Sequence, residues 1–219
     1  LADDNRPRGT IRLKPVKPAA GPDRPERAPA RPDTLLTRAA PQAQVAGRGI
    51  LQVNLNWSVA TEADLDLGCL VSFADGSGIA VQPLGNAFGS LTGWPYVQLD
   101  QDDRSGASSD GETVRVDLGR RESFRRLLFY VYVYEGAVDF RRLGAVATVT
   151  APSGTFRIAL DDSPGGATGC AIALATSGPK GLTVRREVRW FSGTERQPVQ
   201  EAMDRAYGFG FPWVWGTKD

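Results

Sequence analysis

Leu51, Val53, Leu55 and Trp57 alternate with Gln52, Asn54 and Asn56, the period of two expected of a strand with one face in a core and the other toward water. Further strands are expected near residues 65–74, 79–83, 96–100, 113–118, 127–135, 145–151, 155–160, 170–176 and 182–191, punctuated by Asp75-Gly76-Ser77-Gly78, Pro152-Ser153-Gly154 and Ser163-Pro-Gly-Gly166. Strands this short and numerous, without intervening helices, specify an all-β sandwich or barrel. Leu127-Leu-Phe-Tyr-Val-Tyr-Val-Tyr134 is almost wholly apolar or aromatic, so it is expected at the centre of a sheet with both faces covered. One short helix is expected over 198–207, where Val199, Ala202, Met203 and Ala206 fall at helical spacing and Gly208 supplies a stop. The aromatic ending Tyr207-Gly-Phe-Gly-Phe-Pro-Trp-Val-Trp215 is expected to pack over an open end of the sandwich.

The chain has 219 residues, 41% of them hydrophobic, enough for one domain of ordinary size and a tail. Residues 1–48 hold eight of the fifteen prolines, ten Arg or Lys against five acids, and no aromatic residue. Such a stretch buries too little to offset its ordering entropy, and it is expected to be a disordered basic tail or linker, with Ile11-Arg-Leu-Lys14 able to dock as a strand. The folded domain is expected over 49–219, with 16 basic and 20 acidic groups. The basic tail could touch an anionic surface, but nucleic-acid binding is not expected. Histidine is absent, which excludes histidine-based triads and the usual histidine-ligated zinc and iron sites. Cys69 and Cys170 are expected to be inert core thiols. The glycine-rich stretches match neither a P-loop nor a dinucleotide fingerprint. The first residues lack the basic-then-apolar order of a signal peptide, and no run approaches the length of a membrane span. A soluble, cytoplasmic protein is expected.

Seven carboxylates gather in two short segments. Asp64 and Asp66 open one strand. Asp100, Asp102, Asp103, Asp110 and Glu112 occupy a Gly- and Ser-rich loop and its end, with Arg104 as their one basic neighbour. Alternation along the strand directs Leu65, Leu67, Cys69, Val71 and Phe73 to the core and aims Asp64 and Asp66 together at the opposite side. Carboxylates brought close share protons or a cation, and a cluster of oxygen ligands suits a hard ion such as Ca²⁺. An EF-hand is excluded. With Asp100 at its first position, Arg104 takes the fifth, Ser105 replaces the invariant Gly and Gly111 replaces the bidentate Glu. The reading is a calcium-binding β-domain without enzymatic activity. The alternative is a metal-dependent hydrolase acting on phosphodiesters or glycosides through the same acids. Glu135 is read as a strand-end surface residue.

Several motifs in series carry a family resemblance. Val53-Asn-Leu-Asn-Trp57, Asp64-Leu-Asp-Leu-Gly-Cys-Leu70, Leu84-Gly-Asn-Ala-Phe-Gly89, Pro95-Tyr96, Leu99-Asp-Gln-Asp-Asp-Arg-Ser-Gly106, Gly111-Glu112 and Tyr134-Glu-Gly136 follow one another as in the TerD-domain family of bacterial tellurium-resistance and stress-response proteins. Cys170-Ala-Ile-Ala-Leu174, Val188-Arg-Trp-Phe-Ser-Gly193 and Tyr207-Gly-Phe-Gly210 resemble its TerA branch. The resemblance runs from about Arg48 to Asp219 and leaves the tail outside. It implies a two-sheet β-sandwich that binds calcium through acidic loops. Carried over residue by residue, it makes Asp64, Asp66, Asp102, Asp103 and Glu112 the foremost ligands, with Asp100 and Asp110 next. Partners would be other proteins of a tellurium-resistance or stress-response complex, met at the inner face of the membrane.

Overall fold

The computed structural model describes residues 33–57, 63–100, 111–136, 139–194 and 196–214; Ile11 to Lys14 lie outside them. Two sheets face each other. The seven-stranded sheet comprises β1 (Thr34–Leu35), β3 (Ile50–Asn56), β6 (Gly89–Ser90), β7 (Val97–Leu99), β8 (Glu112–Asp117), β10 (Val146–Ala151) and β11 (Gly154–Ala159), in the order β1-β11-β10-β3-β8-β7-β6. The six-stranded sheet comprises β2 (Gln42–Val45), β4 (Asp64–Phe73), β5 (Gly78–Val81), β9 (Phe124–Glu135), β12 (Gly169–Gly178) and β13 (Gly181–Phe191), in the order β2-β13-β12-β9-β4-β5. Pairing is antiparallel except between β1 and β11. Of the sandwich or barrel expected from the strand pattern, the two-sheet sandwich that the family resemblance implies is the fold observed.

The expected central strand is β9, held between β12 and β4. Leu127, Phe129 and Val131 enter the core between the sheets, while Leu128, Tyr130 and Tyr132 enter a second cluster with Leu70, Ala171, Val199 and Met203. Helix α2 (Val199–Tyr207) contributes Val199 and Met203 to that second layer. Phe209, Phe211 and Trp213 pack against it. The aromatic ending thus covers the outer face of the six-stranded sheet rather than an open end. Fully buried members of this layer such as Leu128 and Met203 each contribute roughly 1.5–3 kcal/mol. Asp204, buried at 3% exposure, ties the segment down by accepting from Gly210 N at 2.6 Å, Phe211 N at 2.8 Å and Trp213 Nε1 at 2.6 Å.

Helix α2 ends at Gly208 in the left-handed conformation, φ 65°, as its sequence predicts. Its buried stripe differs from the expected one. Val199, Gln200, Met203 and Asp204 are buried, and Ala206 is exposed. Hydrophobic spacing could not reveal this, because two of the inward residues are polar. A further short helix, α1 (Phe140–Leu143), starts with Asp139 accepting from Arg141 N and sets Phe140 against Trp190, ring centroids 5.0 Å apart.

The boundary expected at residue 48 is corrected. β1 and β2 fall within 33–48, and Leu36 and Val45 are buried at 2% and 1% exposure. Leu36 N donates to Arg157 O and Arg186 N to Pro41 O, so this segment passes from one sheet to the other along one side of the sandwich. Two strands of two and four residues are too short to impose a readable period, and the surrounding prolines and arginines masked them. Asp162 fastens the crossing. It pairs with Arg38, lies 3.7 Å from Arg186 Nη2 and accepts from Trp190 Nε1 at 2.9 Å. Partial burial alone would raise its pKa, but the bonds from Trp190 and Arg38 and the charges of Arg186 and Arg38 prevail and hold it below the usual carboxylate range. A depressed folded-state pKa means stabilisation that is complete above the unfolded-state value, about 3.9, and lost as pH falls through the lower folded-state value. Asp162→Asn is expected to cost about 1 kcal/mol at neutral pH. In denaturant titrations the difference from wild type should begin to shrink as the pH falls below about 4 and vanish only below the lower folded-state value, and a pH-independent difference would contradict this assignment.

Candidate metal centre

β4 carries Asp64 and Asp66 at its start. Asp64 lies opposite Glu135 of β9, and the register shifts before Leu65, which lies opposite Val133. Glu135 is exposed, as expected of a strand-end glutamate. Beyond the shift the alternation is regular. Leu65, Leu67, Cys69, Val71 and Phe73 face the inter-sheet core, and Asp66 lies opposite Tyr132, on the outer side. That side is not open to water, since the second apolar layer leaves Asp66 at 0% exposure. Gly68, next on the same face, is required by Tyr130. A Cβ there would lie 2.4 Å from the phenol ring, whose hydroxyl donates to Gln82 Oε1 at 2.7 Å.

Glu112 begins β8 in the other sheet, opposite Leu55 of β3, and is also at 0% exposure. It shares the inward parity of Val114 and Val116, so its side chain enters the space between the sheets. There its Oε2 accepts from Leu67 N. This bond is possible because β5 pairs with β4 only from Cys69 to Ser72, which leaves the edge of β4 at Leu67 without a strand neighbour. Glu112 thus crosses from one sheet to the other and lands one residue from Asp66. Gly111 makes the approach possible. Its φ is +63°, and a Cβ would lie 2.0 Å from Leu55 O. Tyr132 reports the neighbourhood electrostatically. Its phenol pKa is pushed far up, first by burial, then by the charge of Asp66, by Tyr130 and by the charge of Glu112.

Asp100, just past β7, has another setting. Its Oδ1 accepts from Thr113 N at 2.7 Å, its Oδ2 lies 3.1 Å from Arg115 Nη1, and its own N donates to Thr113 O at 3.0 Å. It clamps the two ends of the 101–110 segment together. Asp102, Asp103 and Asp110 lie outside the described residues. The structure therefore brings Glu112 to Leu67, one residue from Asp66, puts Asp64 two residues from Asp66 along β4, and turns Asp100 toward Thr113 and Arg115. Among the described residues no group of three or more Asp, Glu and Cys gathers closely enough to hold an ion by itself. Cys69 and Cys170 are buried free thiols, and burial pushes both thiols up. The available donors are thus carboxylate oxygens, which fit a hard cation such as Ca²⁺ and not a soft one. Tyr132, Gly68 and the edge at Leu67 were not recognised from sequence. The alternation of Tyr130 and Tyr132 against Phe129 and Val131 was the available signal.

Fold and site together define a two-sheet β-sandwich with buried carboxylates where a strand edge of one sheet meets the end of a strand in the other. No family model matches the chain. It is 33% identical over 201 residues to tellurium resistance protein TerA from an Alcaligenes species, covering 84% of this chain and 58% of that protein. A solved homologue of the telluride resistance protein TerD, from Streptomyces coelicolor A3(2), superposes with a TM-score of 0.53 at 22% identity, covering 71% of this chain and 96% of that one. A solved protein of unknown function gives the same TM-score at 16% identity, over 71% and 95% of the two chains. The chain belongs to the TerD-domain family of tellurium-resistance proteins. It spans a little over half the length of its TerA relative.

Asp100→Ala removes the Thr113 bond and the Arg115 pair, and is expected to cost about 1–2 kcal/mol in urea unfolding. Arg115→Gln should cost less, because the Thr113 bond survives. Equal costs would show that the ion pair, not the clamp, carries the stabilisation.

Proposed function

We propose that this domain is a non-enzymatic calcium-binding module of a tellurium-resistance and stress-response system. The observation that carries the reading is the pair of fully buried carboxylates, Asp66 and Glu112, delivered to one strand edge from opposite sheets. Burying charge in this way is costly unless a cation or proton compensates it. Asp64 adjoins the pair along β4, and Asp102, Asp103 and Asp110 follow Asp100 closely enough in sequence to complete an oxygen cage. Asp100 is assigned to holding the ends of the acidic segment. Calcium would supply charge compensation, and Asp64, Asp66, Asp102, Asp103, Asp110 and Glu112 would hold it. The hydrolase alternative is not favoured, since Asp64, Asp66, Asp100 and Glu112, the four of these acids among the described residues, line neither the cavity beside α2 nor that beside Asp162.

Calcium at a thousandfold excess over its dissociation constant should raise stability by about 4 kcal/mol. Titration calorimetry and thermal melting after chelation are expected to show binding and an upward shift in Tm for the wild type, with both lost in Glu112→Gln. Melting that is indifferent to Ca²⁺ in the wild type would overturn the reading.

In the proposed function, calcium orders the acidic edge as a docking surface for other proteins of the same resistance system, in the cytoplasm at the inner face of the membrane. No helix among the described residues is long and apolar enough to cross a membrane; the attachment proposed is peripheral. Affinity capture of such partners should weaken at least tenfold on chelation. Equal recovery with and without chelator would remove calcium from partner binding.

A further inference from the structure

The outer face of the six-stranded sheet carries a cavity of about 690 Å³, a size typical of small-molecule sites, roughly 300–1,000 Å³. It lies between β5, the turn at Leu84–Asn86, the first turn of α2 and residues 211–214. Ile79, Leu84, Phe211 and Trp213 make apolar walls, and Tyr132 contributes from β9. None of the described lining residues is charged. The wall formed by residues 211–214 is held in place by the three bonds from Gly210, Phe211 and Trp213 to Asp204.

Hydrogen-bonding groups collect at one end. Gln200 lines the cavity at 4% exposure, and its side-chain amide has no hydrogen-bond partner among the described residues. Gln82, at 7% exposure, uses Oε1 to accept from Tyr130 and retains its amide donors. α2 begins here behind Pro198, with no side chain capping its first turn, so its leading N–H groups and the positive end of its dipole sit at the cavity. Glu201, the acid of that turn, is paired with Arg205 at 2.9 Å instead of folding back as a cap. Buried amide donors and an uncapped helix start in an apolar chamber complement a single negative charge on an apolar body. A cation would find no acid among the described lining residues, and a phosphate dianion no Lys or Arg there.

We propose that this cavity binds a small organic carboxylate with an acyl or aromatic body, its carboxylate held by the Gln200 amide and the first-turn N–H groups of α2. The site uses none of the seven clustered acids, so it is measured in the presence of chelator and stands or falls apart from the calcium reading. Titration calorimetry of the full chain with octanoate is expected to show saturable 1:1 binding, with 1-octanol at least tenfold weaker. Gln200→Leu should weaken octanoate about tenfold and leave 1-octanol within twofold. Ala80→Phe, which fills the cavity from β5, should abolish binding of both while cooperative melting persists. Absence of saturable octanoate binding overturns the proposal, as do equal affinities for acid and alcohol or unchanged octanoate affinity in either variant.

Discussion

Burial of β9 on both faces is the constraint on which the rest of this structure depends. A strand reading Leu-Leu-Phe-Tyr-Val-Tyr has no polar side to offer water, so each face needs its own cover. The inward face meets the seven-stranded sheet, and the outward face meets α2 and the aromatic ending. Two apolar layers follow from one strand. The outward face also carries the phenols of Tyr130 and Tyr132, whose polar tips must be placed inside the second layer. That requirement explains the Tyr130–Gln82 bond and the bare backbone at Gly68.

The same covering layer changes the meaning of Asp66. An aspartate on the outer face of a two-layer sandwich would be a solvated surface group. Here the third layer buries it beside Tyr132, and Glu112 arrives from the opposite sheet to engage the free edge of β4. Low dielectric strengthens the interaction of these carboxylates with each other and with any cation that joins them. Tyr132 also lines the cavity on the outer face. The acidic centre and the cavity therefore share one side chain while drawing on different polar groups.

Much of this was legible in the sequence because strand periodicity is local. The alternation from Leu51 to Asn56 and the apolar run from Leu127 to Tyr134 each state how many faces must be covered. Gly208 similarly marks the end of α2. Other features were not local. β1 and β2 are held by pairing with distant strands, so residues 34–45 read as part of a proline- and arginine-rich tail. The inward stripe of α2 includes Gln200 and Asp204, polar residues that hydrophobic spacing does not mark, and Asp204 faces inward to accept the bonds from Gly210, Phe211 and Trp213. Asp100 could not be separated from its acidic neighbours until Thr113 and Arg115 were placed beside it.

By itself the sequence determined the fold class and, through its motifs in series, the family. Strand period and turn residues are properties of short segments and suffice for the fold class, while the family rests on short motifs read in their order along the chain. Only the tertiary structure decided that Asp66 is buried, that Glu112 reaches β4 across the sandwich, and that the aromatic ending roofs a cavity. Each depends on which surfaces meet across the fold, between residues dozens to more than a hundred positions apart, and no local pattern encodes that meeting.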